Sequence, residues 1–356
     1  MTNPYSKSKP YQMWRRSVTR VEPHLLDPVV NPRFKISKQT RVGTAGSCFA
    51  QHIAKKIASI GFNYFIPEAG DNLPEMERRS RQFGVYSARY GNLYTVAQLL
   101  QLYEEAFEGR DLSEKAWRRP DGRYVDPYRP QVEPAGYETL EGVVAARRCH
   151  MESVRRVFEE SEIFIFTLGL TESWRSCIDG AIFPLAPGVV AGDFDPAIHE
   201  FHNYSVSETS DLLRRTLEKI RSVNAMVKIL LTVSPVPLIA TYEDRHVLAS
   251  TTYSKSILRV AAQECVDQLD WVDYFPSYEI MTSSSTGGMY YEDDFREIAP
   301  RGVAHAMRCF VRNYVEGADK ARPEYPGYYM DQSRQSTTTK APSLICDEEA
   351  IDVVNV

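Results

Sequence analysis

Short apolar runs that alternate with amphipathic helical segments constrain the fold of this chain most strongly. Residues 163–168 read Ile-Phe-Ile-Phe-Thr-Leu, and a run of similar length at 227–233 is nearly as apolar. Such runs are typical of strands that are buried on both faces, as in a parallel sheet. Helical periodicity occupies 144–160 and a stretch from 205 to about 223. The pattern predicts a three-layer α/β/α sandwich with a mainly parallel sheet.

The same pattern predicts the limits of the domain. Residues 1–39 carry several prolines and little periodicity, which predicts an extended N-terminal arm. After residue 318 the composition turns to Pro, Ser, Thr and Gln and then becomes acidic, which predicts a mobile C-terminal tail at 319–356. The folded domain is therefore predicted at 40–318. Further strands are predicted at 40–44 and 271–275, further helices at 95–107, 253–269 and 299–314, and loops at 67–90, 117–134 and 183–201.

Composition argues against several classes of protein. The net charge of −5, with both signs interspersed, is unlike that of a nucleic-acid binder. No apolar run approaches the ~20 residues of a membrane helix, and residues 1–20 lack the apolar segment of a signal peptide, so we expect a cytoplasmic protein without a membrane span. His199 and His202 have the spacing of a metal pair, but no third ligand is specified. We therefore predict no metal site and no cofactor.

A serine between the first strand and the first helix is the leading candidate for a reactive residue. Residues 41–50 read as a short strand that turns at Gly46 and delivers Ser47 to the start of a helix, which Gly61 ends. Amides at a helix start lack internal partners, so those of Ser47 and Cys48 are expected to hold an oxyanion beside the hydroxyl. Serine is also a preferred helix N-cap. The junction alone therefore supports either a nucleophile or a cap.

Other polar residues follow predicted strands at the same edge of the sheet, where ligands bind in parallel α/β folds. Gly169, Thr171 and Glu172 come directly after the first apolar run. A glycine allows a ligand to approach the backbone closely, and Glu172 is a candidate to exchange a proton or orient a base. Gly91 and Asn92 form a similar pair, whose amide side chain is a candidate oxyanion donor. Each pattern is also that of an ordinary turn.

Candidates for a group that takes the serine's proton lie later in the chain. Asp294 and Glu297 belong to an acidic stretch before the last helix, where negative charge also complements the helix dipole. His246 follows the loop after the 227–233 strand and is a candidate acid–base group. His305 lies within the last predicted helix, a position that also suits a packing residue. Spacing alone leaves the choice among these groups open.

A series of ordered sequence blocks carries a resemblance to a known family. Residues 46–50 read Gly-Ser-Cys-Phe-Ala, and the later blocks are YGNLYT at 90–95, TLGLTE at 167–172, FHNY at 201–204, TVSPVPL at 232–238, YSKS at 253–256 and YFPSYE at 274–279. Together they resemble the GSCFA family over roughly residues 40–314. That family is similar to the SGNH (GDSL-like) hydrolases, so the resemblance implies a flavodoxin-like sandwich and a nucleophile at Ser47.

The resemblance also implies an activity and its oxyanion donors. It implies a serine esterase or O-acyltransferase that acts on an O-acyl group, such as O-acetyl, of a small-molecule or carbohydrate-like substrate. Gly91 or Asn92 matches the second block of oxyanion donors. In the third block the family pattern is Gly-x-Asn, and here Gly169 is followed by Thr171 in the place of the Asn. The activity is implied by the family and does not follow from the residues themselves.

The general base departs from the pattern that the resemblance implies. The usual Asp-x-x-His block aligns with Asp294 to Glu297, so a glutamate stands where the catalytic histidine is expected. A carboxylate activates a serine only if its pKa is raised well above the free value of ~4.3. Three interpretations stay open: Glu297 is an unusual base, a histidine replaces it (His246 first, then His305), or the chain is a binding or scaffold protein.

Overall fold

The structure is a computed structural model that describes residues 3–318 and 344–353, in which strands alternate with helices. The strands are Val42–Gly46 (β1), Trp117–Arg118 (β2), Tyr124–Val125 (β3), Ile163–Leu168 (β4), Glu172–Ser176 (β5), Ile182–Phe183 (β6), His199–Asn203 (β7), Lys228–Val233 (β8) and Val272–Tyr274 (β9). The α-helices are Ala50–Ser59 (α1), Glu75–Ser80 (α2), Val96–Tyr103 (α3), Leu140–Glu160 (α4), Val206–Val223 (α5), Val247–Gln268 (α6), Ser277–Thr282 (α7), Pro300–Tyr314 (α8) and Glu349–Val353 (α9).

Four of the strands form a parallel sheet in the order β1–β4–β8–β9. Ile163 of β4 lies opposite Val42 of β1 on one side and opposite Lys228 of β8 on the other. β9 pairs with β8 in the same direction. Parallel neighbours require long crossover connections, which the helices between these strands supply. The predicted α/β fold with a mainly parallel sheet is confirmed.

Side chains of the sheet alternate between two layers of helices. Phe164 and Phe166 of β4 pack with apolar residues of α3, α4, α5 and α6. Ile163 and Ile165 of the same strand pack with α1, α7 and α8 on the opposite face. Because both faces of β4 are covered, every position in the strand favours an apolar residue, which explains the uninterrupted run in the sequence. The predicted three-layer sandwich is therefore confirmed.

The described part of the N-terminal arm packs on the layer that contains α8. The Ile36 amide donates to the Tyr314 carbonyl at 2.7 Å. Nearer the start of the arm, the Leu26 carbonyl lies 2.6 Å from Nε2 of His305. The other ring nitrogen of His305 pairs with the Tyr290 hydroxyl at 2.7 Å. His305 is thus a buried packing residue beneath the arm.

A second, smaller sheet lies where the sequence predicts loops. β5 is its central strand and pairs antiparallel with β6 and β7. Trp174 of β5 contacts the rings of Phe201 and Tyr242, with centroids 5.8 and 4.8 Å apart. The strands are short and rich in polar residues, so they lack the apolar run that predicts β4. The helix α2 and the β2–β3 pair likewise lie inside the predicted loops 67–90 and 117–134.

Sequence signals locate some helix starts well. Ser205 precedes α5, its hydroxyl accepts from the Glu208 amide, and the Glu208 carboxylate accepts from the Ser205 amide. This reciprocal pair is the predicted capping box.

No helix in the ranges 3–318 and 344–353 is both long and apolar enough to cross a membrane.

The turn at Gly46 gives a test of the fold. Its φ is +132°, and a Cβ there would stand 2.4 Å from the Thr167 carbonyl oxygen. We expect Gly46→Ala to lower the free energy of unfolding by at least ~3 kcal/mol, because strain and a backbone clash act together. Gly61→Ala is the control, since Gly61 also has a positive φ but open space around it, and should cost about 1 kcal/mol. Urea unfolding followed by circular dichroism measures both, and equal losses would contradict the prediction.

Candidate active site at the carboxyl edge of the sheet

Ser47 directly follows β1 at the carboxyl edge of the parallel sheet. Its amide donates to the Thr167 carbonyl at 3.1 Å, which continues the ladder between β1 and β4. The side chain is 1% exposed, and its Oγ has no hydrogen-bond partner within the described residues. A buried hydroxyl without a partner costs roughly 1–3 kcal/mol. Seven other buried hydroxyls of the described residues share this state, so the position of Ser47 at the sheet edge is what distinguishes it.

The structure separates the two interpretations of this serine. The N-cap residue of α1 is Phe49, and the Ser47 hydroxyl accepts no amide of the helix among the described residues. Ser47 is therefore not a cap. The expectation of a free Ser47 amide is wrong, because that amide bonds to Thr167. The Cys48 amide, by contrast, donates to no acceptor in the part of the chain that the structure describes.

Gly91 and Asn92 lie beside this turn because the next amide, that of Leu93, donates to the Gly46 carbonyl at 3.0 Å. Gly91 has a φ of +69°, which favours glycine. Asn92 is 1% exposed, and its Oδ1 accepts from the Tyr86 hydroxyl at 2.5 Å. The structure thus brings the predicted second block to the serine.

Gly169 packs directly against the serine from the end of β4. A Cβ on Gly169 would stand 3.0 Å from the Ser47 Cβ and 3.0 Å from the Tyr94 carbonyl oxygen. Only glycine therefore allows this approach. The Gly169 amide donates to Tyr94 at 2.9 Å, so its role is to make room rather than to bind an oxyanion.

Thr171 and Glu172 belong to the junction with the second sheet. The Thr171 hydroxyl donates to Oδ1 of Asn203 on β7 at 2.7 Å. Glu172 begins β5 and accepts from the Thr241 hydroxyl at 2.7 Å. Burial raises the pKa of the Glu172 carboxyl. Both side chains have partners of their own, and neither is hydrogen-bonded to Ser47.

A buried lysine contacts the carbonyl of Gly169. Lys255 of α6 is 1% exposed, and its Nζ donates to the Gly169 carbonyl at 2.6 Å. Burial lowers the pKa of the ammonium group to about 8. Lysine is almost never fully buried, so the position stands out. The sequence carried a signal for it, because Lys255 falls on the apolar stripe of α6 with Leu258 and Ala262.

Arg296, rather than Glu297, reaches the site from the acidic turn before α8. Asp294 accepts the amides of Arg296 and Glu297 at 2.9 and 3.0 Å, which folds the turn. Asp294 and Glu297 are exposed. The Arg296 guanidinium points the other way, to Glu348 at 3.2 Å and the Cys346 sulfur at 3.5 Å. The structure does not bring the predicted acid–base pair to the serine, because spacing does not determine which residue of a turn points inward.

The candidate histidines do not replace Glu297. His246 is exposed at the N-cap of α6, where its Nδ1 accepts from the Leu248 amide at 3.1 Å. His305 is held beneath the N-terminal arm. Since Ser47 Oγ is unbonded, no histidine in the ranges 3–318 and 344–353 forms a hydrogen bond with it.

A segment near the C-terminus, residues 344–351, packs against this edge; we call it the C-terminal segment. The Asp347 amide donates to the Tyr94 hydroxyl at 3.0 Å, and the Gln51 side chain donates to the Ile345 carbonyl at 2.8 Å. Cys346, Asp347 and Glu348 are all buried. The sequence analysis places this segment in the mobile tail, whereas the structure shows it packed against the sheet edge. The rest of that tail, 319–343 and 354–356, lies outside the described residues.

Burial and nearby charges shift the pKa values of the acidic groups in this contact. A hydrogen bond from Cys48 and the nearby Arg296 guanidinium lower the pKa of Cys346 to about 6, and the same thiol contact together with burial raises the pKa of Cys48. Burial raises the pKa of Asp347 to about 6, and burial with the neighbouring Cys346 raises that of Glu348 to about 8. The Cys346 sulfur and the Glu348 carboxyl thus both lie against the Arg296 guanidinium.

The two histidines with the spacing of a metal pair each bond to a carboxylate. His199 pairs with Glu114 at 2.9 Å, and His202 pairs with Glu208 at 3.0 Å. Among residues 3–318 and 344–353, no group of three or more His, Cys, Asp and Glu side chains is arranged to hold a metal ion.

Comparison with known protein families identifies the family of this chain. The sequence model of the GSCFA family matches residues 41–310. The chain belongs to the GSCFA family. The match runs from β1 into α8 and includes Ser47, Asn92, Gly169, Lys255 and Arg296, whereas the C-terminal segment lies outside it. The chain matches no curated protein.

Asn92 links the candidate site to the C-terminal segment, which gives a second prediction. Its Nδ2 donates to Oδ2 of Asp347 at 2.9 Å. We expect Asn92→Ala to lower the free energy of unfolding by roughly 1–3 kcal/mol, because the buried groups of Asp347 and Tyr86 lose a partner. The control is Asn63→Ala, which removes one exposed bond to Gln39 and should cost under about 0.5 kcal/mol. Similar losses in urea unfolding would contradict this role for Asn92.

Proposed function

We propose that this GSCFA protein is a serine esterase or O-acyltransferase with Ser47 as its nucleophile. The observation that carries the proposal is a buried hydroxyl without a partner, at the sheet edge where parallel α/β proteins bind ligands. The glycine turn before it and Gly169 beside it allow the backbone to pack closely around the serine, which fixes the hydroxyl at this edge. The family's resemblance to the SGNH hydrolases supports an O-acyl substrate, such as the O-acetyl ester of a small molecule or carbohydrate.

The proposed reaction passes the acyl group through the serine. Ser47 Oγ attacks the ester carbonyl while its proton passes to a base, and the tetrahedral oxyanion accepts hydrogen bonds from the Cys48 amide and Asn92 Nδ2. The carbonyl re-forms, and the alcohol leaves with the proton. Water then releases the acid, or a second hydroxyl takes the acyl group. Removing a single oxyanion donor typically costs 10²–10³-fold in rate.

Lys255 is the proposed base. Serine–lysine pairs recur among enzymes of this chemistry, and a neutral amine can accept the hydroxyl proton. The burial that lowers its pKa to about 8 makes a neutral form accessible near physiological pH. The Gly169 carbonyl holds Nζ at the residue that packs on Ser47. This assignment replaces Glu297 and His246 in the base role.

Labelling of Ser47 tests the proposed activity. We expect a fluorophosphonate probe to modify the chain and Ser47→Ala to abolish the modification, together with p-nitrophenyl acetate hydrolysis. Ser234→Ala is the matched control, because Ser234 is a buried serine that directly follows β8 of the same sheet. If neither the native chain nor a Glu348→Arg chain, designed to release the C-terminal segment, is labelled or hydrolyses the ester, the pocket only binds.

The pH dependence of the same labelling tests the base. We expect the rate to rise with pH through about 8, because only the deprotonated amine of Lys255 accepts the serine proton. Lys255→Met should remove the rise near pH 8 and lower the labelling rate at least ~100-fold. Lys228→Met changes an exposed lysine of β8 and should leave the pH dependence and the labelling rate unchanged. Circular dichroism checks that each variant folds. A pH step that survives in Lys255→Met would assign the base to another group.

A further inference from the structure

The C-terminal segment places a carboxylate on the proposed oxyanion donors. Oδ2 of Asp347 accepts from Asn92 Nδ2 at 2.9 Å and from the Asn92 amide at 3.4 Å. A Cβ on Gly91 would stand 3.8 Å from the same oxygen. A carboxylate oxygen therefore occupies donors that the proposed function gives to the acyl oxygen of a substrate.

The residues on either side of Asp347 lie against a half-buried arginine and near a buried lysine. Glu348 accepts from Arg296 at 3.2 Å, and their side chains are 9% and 15% exposed. The Cys346 sulfur accepts from the same guanidinium at 3.5 Å. Lys255 also lies within electrostatic reach of Glu348 and Cys346. The segment therefore supplies the acidic groups that lie against these two cations.

We propose that the pocket beside Ser47 binds esters that carry a carboxylate, and that the C-terminal segment occupies the pocket as a reversible internal competitor. This inference rests on the proposed function for the ester and on the contacts above for the carboxylate. The acyl oxygen of the substrate takes the position of the Asp347 oxygen on Asn92. Its free carboxylate takes the position of Glu348 on Arg296. The segment and the substrate therefore exclude one another.

Cysteine alkylation tests the docking of the segment without any reference to catalysis. Cys48 and Cys346 are buried against each other, whereas Cys149 and Cys177 are exposed and serve as internal references. In the native chain, iodoacetamide followed by mass spectrometry should modify the buried pair at least tenfold more slowly than the references.

A charge reversal in the segment supplies the decisive comparison. Glu348→Arg places a cation against Arg296 and should raise the alkylation rates of Cys48 and Cys346 at least tenfold. Glu349→Arg makes the same change at the exposed neighbouring residue and should leave both rates unchanged. If Glu348→Arg also leaves them unchanged, or if the native pair reacts as fast as Cys149, the internal competitor is disproved.

Ligand binding is tested in a chain that cannot turn over. In the Ser47→Ala/Glu348→Arg chain, glutarate should slow the alkylation of Cys48, and glutaramide, its neutral analogue, should not. Adding Arg296→Gln should remove the protection by glutarate. Equal effects of the two compounds would overturn the carboxylate site.

Hydrolysis by the Glu348→Arg chain links the site to the activity. The p-nitrophenyl hemiester of glutaric acid should be cleaved with a kcat/KM at least tenfold above that of p-nitrophenyl valerate, and Arg296→Gln should remove the preference. Protection by glutarate without hydrolysis of either ester would sustain the binding site and refute the esterase. Equal hydrolysis of both esters without protection by glutarate would sustain the esterase and refute the carboxylate-binding site.

Discussion

The close approach of β1 and β4 at their carboxyl ends positions every part of the candidate site. Gly46 lies against the backbone of Thr167, and no side chain fits between them. This contact allows the Ser47 amide to continue the strand ladder, so the serine is fixed by the sheet rather than by the helix that follows. It also brings Gly169, two residues beyond Thr167, against the serine. A site built on strand ends is held more rigidly than one built on a free loop.

The site combines cations and acids that would each be unfavourable if buried alone. Lys255 and Arg296 are supplied by the family's domain, and Cys346, Asp347 and Glu348 by the C-terminal segment. Burial favours the neutral form of each acid, and only Cys346, paired with Cys48 and Arg296, has a lowered pKa. The balance therefore depends on both parts of the chain. The cations of the domain and the buried acids of the segment therefore stabilise one another.

The sequence predicted those features that local patterns determine. The uninterrupted apolar run of β4 follows from burial on both faces, the Ser205–Glu208 cap from adjacent hydrogen-bonding groups, and the position of Ser47 from the strand–glycine–helix order. The second sheet was missed because short polar strands have no distinctive period. Glu297 was singled out because it aligns by spacing with the expected histidine, and spacing cannot show which residue of a turn points inward. Lys255 was overlooked although a charge on an apolar helical stripe was a usable signal.

The C-terminal segment was missed for a different reason, and that reason bears on what it does. The tail around it turns to Pro, Ser, Thr and Gln and then becomes acidic, and this composition predicts mobility rather than packing. The segment is buried because Leu344 and Cys346 join a small apolar cluster with Cys48, and because Asn92 and Arg296 bond to its acidic side chains. The family match ends at residue 310, so it includes the residues around Ser47 but not the C-terminal segment. The segment contributes no residue to the two large apolar clusters of the sandwich, and its contacts fall on the candidate site instead. The proposal that it competes with a substrate accordingly requires that its attachment to the domain be reversible.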